Sequence, residues 1–135
     1  MAIIDARTGL EQISERRCWE LLAGTPIGRL GVTVDSAPEI YPVNFAVDDR
    51  SVVFRVTSGA KLDGLIRSAS VCFEVDGIDV DDHTGWSVLV KGHAEHAVDG
   101  RRLDALGLRP WAPGAKPTWI RIIPRAITGR RLRPS

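Results

Sequence analysis

Cysteine is nearly absent from this chain. Cys18 and Cys72 stand far apart, one in a helix-like and one in a strand-like stretch. The opening MAIIDARTGLEQIS carries acids early and no apolar h-region, so no secretory leader is expected. Free, buried thiols are therefore expected rather than a disulfide framework. A dominant charge is also missing: 18 Lys and Arg against 17 Asp and Glu leave a formal +1. That is too little to steer the molecule toward nucleic acid or a membrane surface. No apolar run approaches the length of a bilayer span. There is no low-complexity segment and no internal repeat. The phosphate loops G-x-G-x-x-G and G-x-x-x-x-G-K-[ST] are absent, as is the nucleophile elbow G-x-S-x-G. Dinucleotide-binding doubly wound folds, P-loop enzymes and serine hydrolases of the elbow type lose their sequence basis. What remains is 135 residues, 44% hydrophobic and 26% charged. That is one cytoplasmic domain able to bury its own core.

Punctuation along the chain divides it into short elements. Ser14 to Leu22 reads as a helix, capped by Ser14 and stopped at Gly24-Thr25-Pro26. "RLGVTV" (29–34), "EIYPVNFAV" (39–47), "SVVFRV" (51–56), "SVCFEV" (70–75) and "GWSVLVKGHAEHAV" (85–98) read as strands. Pro42 places the second at an edge or a bulge, and Gly92 bends the fifth. "RRLDALG" is a short helix, "LRPWAPGAKP" a loop, and "TWIRIIPRAITGRRL" one or two last strands broken at Pro124. Six or seven strands with two or three short helices predict a mainly β fold, an antiparallel barrel with helical plugs. Residues 1–26 form an N-terminal helical segment and 27–135 the barrel.

The stretch "FRVTSGAKLDGLIRS" (54–68) passes from strand to helix through a polar knuckle. Strand alternation puts Arg55 and Thr57 on one face. Leu62, Leu65, Ile66 and Ala69 then recur on one helical face, leaving Lys61 off it. The first turn of such a helix offers unpaired N–H groups and a partial positive charge. Arg55, Thr57, Ser58 and Lys61 can converge there on an anion, with Gly59 admitting a close approach. The same residues equally read as a helix capped by Ser58, with Lys61 in solvent and Arg55 paired to an acid such as Glu74.

Other clusters read as ordinary surface. "DGIDVDDHTG" (76–85) lacks the spacing of a calcium loop and reads as a solvated acidic turn. In "HAEH" (93–96), His93 and Glu95 share a strand face while His96 points away, so no metal centre is expected. Trp111 reads as core or interface.

The ordered set "IGRLGVTVDSAPEIYPVNFAVDDRSVVFRVTSGAKL" (27–62), "FEVDGIDVDDHTGWSVLVKGHAE" (73–95) and "WIRIIPRAITGRR" (119–131) resembles the FMN-binding split-barrel proteins, the pyridoxamine 5′-phosphate oxidase-like superfamily. The match is to its small branch rather than to the oxidase itself. The resemblance implies an antiparallel split barrel of Greek-key type. It implies FMN as cofactor, with the deazaflavin F420 as the alternative. The flavin phosphate is expected at Arg55, Thr57, Ser58 and Lys61, and the ring along Pro42, Val43 and Asn44. It further implies a homodimer with flavin sites at the interface, to which Trp86, Ser87 and Trp119 contribute. The expected activity is hydride or electron transfer between flavin and a small substrate; a carrier, store or sensor of flavin is the alternative. The vitamin-B6 oxidases use an arginine–histidine pair near the C-terminus. This chain ends "ITGRRLRPS", without histidine, so pyridoxamine phosphate is not the expected substrate.

Overall fold

The computed structural model describes residues 3–4, 9–57, 59–68, 70–112, 114 and 116–133, with backbone alone at 3 and 60–62. Helix α1 (Glu15–Ala23) begins where expected. The Ser14 hydroxyl accepts the Arg17 N–H at 3.2 Å, satisfying one orphan donor of the first turn. Gly24 closes the helix. Nine strands are described, in chain order: β1 (Ile3–Ile4), β2 (Glu11–Ile13), β3 (Ile27–Val34), β4 (Ala37–Asn44), β5 (Ala46–Val47), β6 (Val52–Val56), β7 (Val71–Asp79), β8 (Thr84–His96) and β9 (Thr118–Leu132). Helix α2 (Ala60–Arg67) joins β6 to β7, and the short α3 (Gly100–Asp104) lies between β8 and β9.

Six of these strands are long, and all pairings are antiparallel. The ladder runs β4-β3-β7-β8-β9, and β9 then pairs with β6. β6 pairs with β5, which continues β4 past Phe45, so the ring closes on itself. This is the antiparallel barrel that the strand spacing predicted. The N-terminal segment holds more than a helix: β2 pairs with β9 and β1 pairs with β2. Two or three residues are too few for a period-2 pattern, so these strands carried no signal.

On the edge away from β8, β9 serves two partners. Its first half, residues 118–122, pairs with β6, while residues 129–131 pair with β2. Between them lies a bulge. Lys91 of β8 faces Ala126 and Gly92 faces Pro124, which leaves Arg125 without a partner on β8. Gly92 permits this close approach, since a Cβ there would lie 2.0 Å from the Ile123 carbonyl oxygen. Gly92 of β8 and Pro124 of β9 face each other at this bulge, and the break expected at Pro124 is only that bulge, since β9 continues from Thr118 to Leu132.

Alternation sets the core. Leu30 and Val32 of β3, Phe73 and Val75 of β7, and Val88 and Val90 of β8 turn inward with Phe54, Ile120 and Ile122. Cys18 and Leu22 of α1 and Leu65 of α2 fill the barrel from its helices. Each large side chain so buried stabilises the fold by about 1.5–3 kcal/mol. A second, small cluster of Val53, Leu103 and Trp119 lies on the opposite face of β6. Cys18 is buried as expected, but Cys72 is exposed, because it faces outward on β7.

Candidate functional site

Arg55 stands directly opposite Trp119 in the β6–β9 pairing. Its guanidinium carbon lies 5.4 Å from the centroid of the Trp119 ring, and its Nε donates to the Lys116 carbonyl at 2.8 Å. Trp119 is 5% exposed, and its indole Nε1 donates to Asp104 Oδ1 at 2.8 Å. Thus one N–H of the guanidinium is spent on orientation, and the two terminal NH2 groups form a fork suited to a phosphate or carboxylate. No acid forms an ion pair with Arg55 among the described residues. The Glu74 partner that alternation offered faces Arg29 instead, across β3 and β7.

The chain leaves β6 through an exposed Thr57. Gly59 then precedes α2 with φ 143°, a conformation that disfavours any side chain. A Cβ at Gly59 would meet nothing within 4 Å, and no side-chain hydrogen bond among the described residues caps the helix. The first turn of α2, capped by no described side chain, follows the Arg55 fork and the exposed Thr57 in the chain, an order of groups that suits a phosphate. Ser58 and the side chain of Lys61, both expected at this site, lie outside the described residues.

The three β4 candidates differ from one another. Pro42 is exposed on β4, which stands at the end of the strand order as its edge position required and pairs along its length with β3. Val43 turns inward and is 8% exposed, so only its backbone remains for a ligand. Asn44 spends its amide internally. Its Nδ2 donates to the Pro26 carbonyl at 3.2 Å, and its Oδ1 accepts the Trp111 N–H at 2.8 Å. The connection from α3 to β9 is therefore fastened to Asn44 by Trp111 and to Arg55 by Lys116. Trp111, read from sequence as core or interface, is 70% exposed and so is not core.

Trp86 and Ser87 lie elsewhere. Being adjacent on β8, they face opposite sides. Trp86 packs over Gly77 on the core side, where a Cβ would sit 2.6 Å from the indole Nε1. It borders a groove of about 540 Å³ with Arg131, Arg133 and Glu11. Ser87 lies on the outer face, in a trough of about 230 Å³ with Leu89, Lys91, Ala126, Thr128 and Arg130. β8 pairs with β9 from Trp86↔Arg131 to His96↔Ile120, which is roughly 34 Å of strand at about 3.4 Å per residue. Within this chain, Trp86 and Ser87 are thus not brought to Arg55 and Trp119.

Two electrostatic features had no place in the sequence reading. Asp48, in the turn before β6, binds Arg102 at 2.6 Å and Arg121 at 2.9 Å. Asp99 joins both arginines, at 2.5 and 3.1 Å. The Arg102 hydrogen bond, with Arg121 behind it, holds the Asp48 carboxyl well below the usual carboxylate range. On the outer face, burial and the neighbouring Asp76 push the Glu74 carboxyl up to about 7, against the pull of Arg29. The Glu74–Asp76 spacing was readable as two acids on one strand face; the Asp48 cluster joins residues too distant in sequence to leave a pattern. The acidic turn of 79–83 is held by Asp79, which accepts the Asp82 N–H at 3.0 Å.

Known proteins resemble this chain along nearly all of its length. A family model described as pyridoxamine 5′-phosphate oxidase matches residues 14–131. An uncharacterised protein of Mycobacterium tuberculosis is 33% identical over 128 residues, covering 90% of this chain and 84% of its own. The solved structure of the FAD binding protein from Mycobacterium smegmatis is 39% identical with a TM-score of 0.73, covering 90% of this chain and 99% of that one. A conserved protein of unknown function from Corynebacterium diphtheriae is 34% identical with a TM-score of 0.74, covering 90% and 96%.

Proposed function

Since the chain belongs to the pyridoxamine 5′-phosphate oxidase family of flavin-binding split barrels, we propose that it binds a flavin nucleotide at the β6–α2 junction and acts as an oxidoreductase on a small substrate. The observation that carries the proposal is the Arg55 fork, oriented by Trp119 and Lys116 on the strand that leads into α2, whose first turn no described side chain caps. FMN ends in the phosphate such a junction holds. FAD carries the same phosphate inside a longer molecule, and the Mycobacterium smegmatis relative is named for it. A bound flavin supplies the redox chemistry by accepting and returning an electron pair. The residues of this chain bind the phosphate, seat the ring beside Pro42 and the Val43 backbone, and limit water through the segment carrying Trp111.

The active unit in this proposal is a homodimer. Ser87, on the outer face, would reach the far end of a flavin only from a second copy, because the length of β8 separates it from Arg55; Trp86, on the core side, would contribute from the end of its strand. The outer face of β3, β7, β8 and β9 suits that contact. It lays Glu74 and Asp76 along β7 and Lys91 and Arg130 along β8 and β9, so a copy turned about a two-fold axis meets acid with base.

Titration of the purified protein with FMN, FAD, riboflavin and F420 tests the site. Arg55→Ala combined with Lys61→Ala should weaken FMN by roughly 1.5–3 kcal/mol for each charge-assisted hydrogen bond removed, and leave riboflavin nearly unchanged. Equal weakening of both ligands places the phosphate elsewhere. A preference for F420 replaces the cofactor. Flavin that binds but is reduced by no donor makes the protein a carrier.

A further inference from the structure

We propose that Asp104 is a positioning residue for Arg55, acting through the indole of Trp119. The inference rests on the reading of Arg55 as the phosphate ligand and extends it to a residue that touches no ligand.

An arginine fork is useful only if its plane is fixed, and a free arginine side chain samples many rotamers. Arg55 is held on two sides. The Lys116 carbonyl fixes its Nε, and the Trp119 ring lies beneath its guanidinium. The ring is the weaker restraint unless the ring itself is fixed. Trp119 is packed against Val53 and Leu103, which hold its depth in the fold. Its rotation about the side-chain bonds is set by one directional contact, the hydrogen bond from Nε1 to Asp104 Oδ1. Asp104 is the last residue of α3, so the register of that short helix is transmitted to the arginine through the indole. Trp119, which the resemblance offered as a direct flavin contact, has its ring spent under Arg55 and is 5% exposed.

A structural role alone would also explain Asp104, since a buried indole N–H needs an acceptor. The two roles separate by ligand. Kd values for FMN and riboflavin are measured on the full chain for Asp104→Ala, Asp104→Asn, Trp119→Phe and the double variant Asp104→Ala/Trp119→Phe. Asp104→Ala is expected to weaken FMN about tenfold, within the usual range of coupling between contacting residues, while riboflavin stays within about twofold. Asp104→Asn keeps the accepting oxygen and should restore binding. Trp119→Phe removes the N–H but keeps a ring, so Asp104→Ala should add nothing in that background. Should Asp104→Ala not fold, Trp119→Phe alone carries the test through the same FMN-to-riboflavin split. Equal loss of both ligands, or no loss of FMN, overturns the positioning role. Arg55→Ala is measured alongside. If it fails to discriminate, the phosphate reading falls and takes this one with it; if it discriminates and Asp104→Ala does not, only the positioning role falls.

Discussion

Asp48 lies where three segments meet: its own turn, α3 through Arg102, and β9 through Arg121. A carboxyl whose folded pKa is depressed contributes stability that is present above the unfolded value, about 4, and is lost as pH falls through the folded one. The melting temperature of the wild type should therefore drop between pH 5 and pH 3 more steeply than that of Asp48→Asn, which starts lower at neutral pH. Parallel melting curves would remove Asp48 as the source. The partners of Asp48 are 54 and 73 residues away, so no local window could have paired them. The face of Arg55 on β6 was legible because strand alternation is a local rule. The bonds of Asn44 to Pro26 and Trp111 were not legible, since sequence names a donor and an acceptor without naming their partners.

At the scale of elements, the β9 bulge carries the sharpest steric demand. A Cβ on Gly92 would press on backbone rather than on a side chain that can turn away. Gly92→Ala should cost about 3 kcal/mol in denaturant unfolding, near the upper end of overpacking effects. A cost under about 0.5 kcal/mol would mean that the bulge relaxes freely. The long strands and all three helices were readable from periodicity, capping and glycine–proline punctuation. β1 and β2 were not, because their position depends on β9 offering an edge beyond its bulge, which is a tertiary fact. The same holds for the α3–β9 connection. Its loop character was plain in "LRPWAPGAKP", whereas its fastening to Asn44 and Arg55 depends on the barrel already being closed.

For the whole molecule, charge arrangement on the outer face makes the proposed dimer testable without a ligand. Glu74→Lys or Arg130→Glu alone should shift sedimentation toward monomer, and the double reversal should restore the dimer. Single variants that remain fully dimeric would move the interface to another face. In the single chain, burial and Asp76 push the Glu74 carboxyl up to about 7. Pairing with a cation of the partner favours its ionised form, so association releases a proton. Dimerisation should therefore tighten as pH rises toward about 7 and level off above it. Glu74→Gln should be flat across that window.

The doubled partnership of β9 also bears on how the chain is made. β6, β8 and β2 all wait for β9, which comes last of the strands in sequence. Until it emerges from the ribosome, β6 and β8 present open edges that invite pairing with other chains. A nascent chain stopped at the bulge would already have closed the β6 half of the ring and left the β2 half open. The bulge thus divides synthesis into two stages of protection, with the interval between them set by the few residues that follow Pro124.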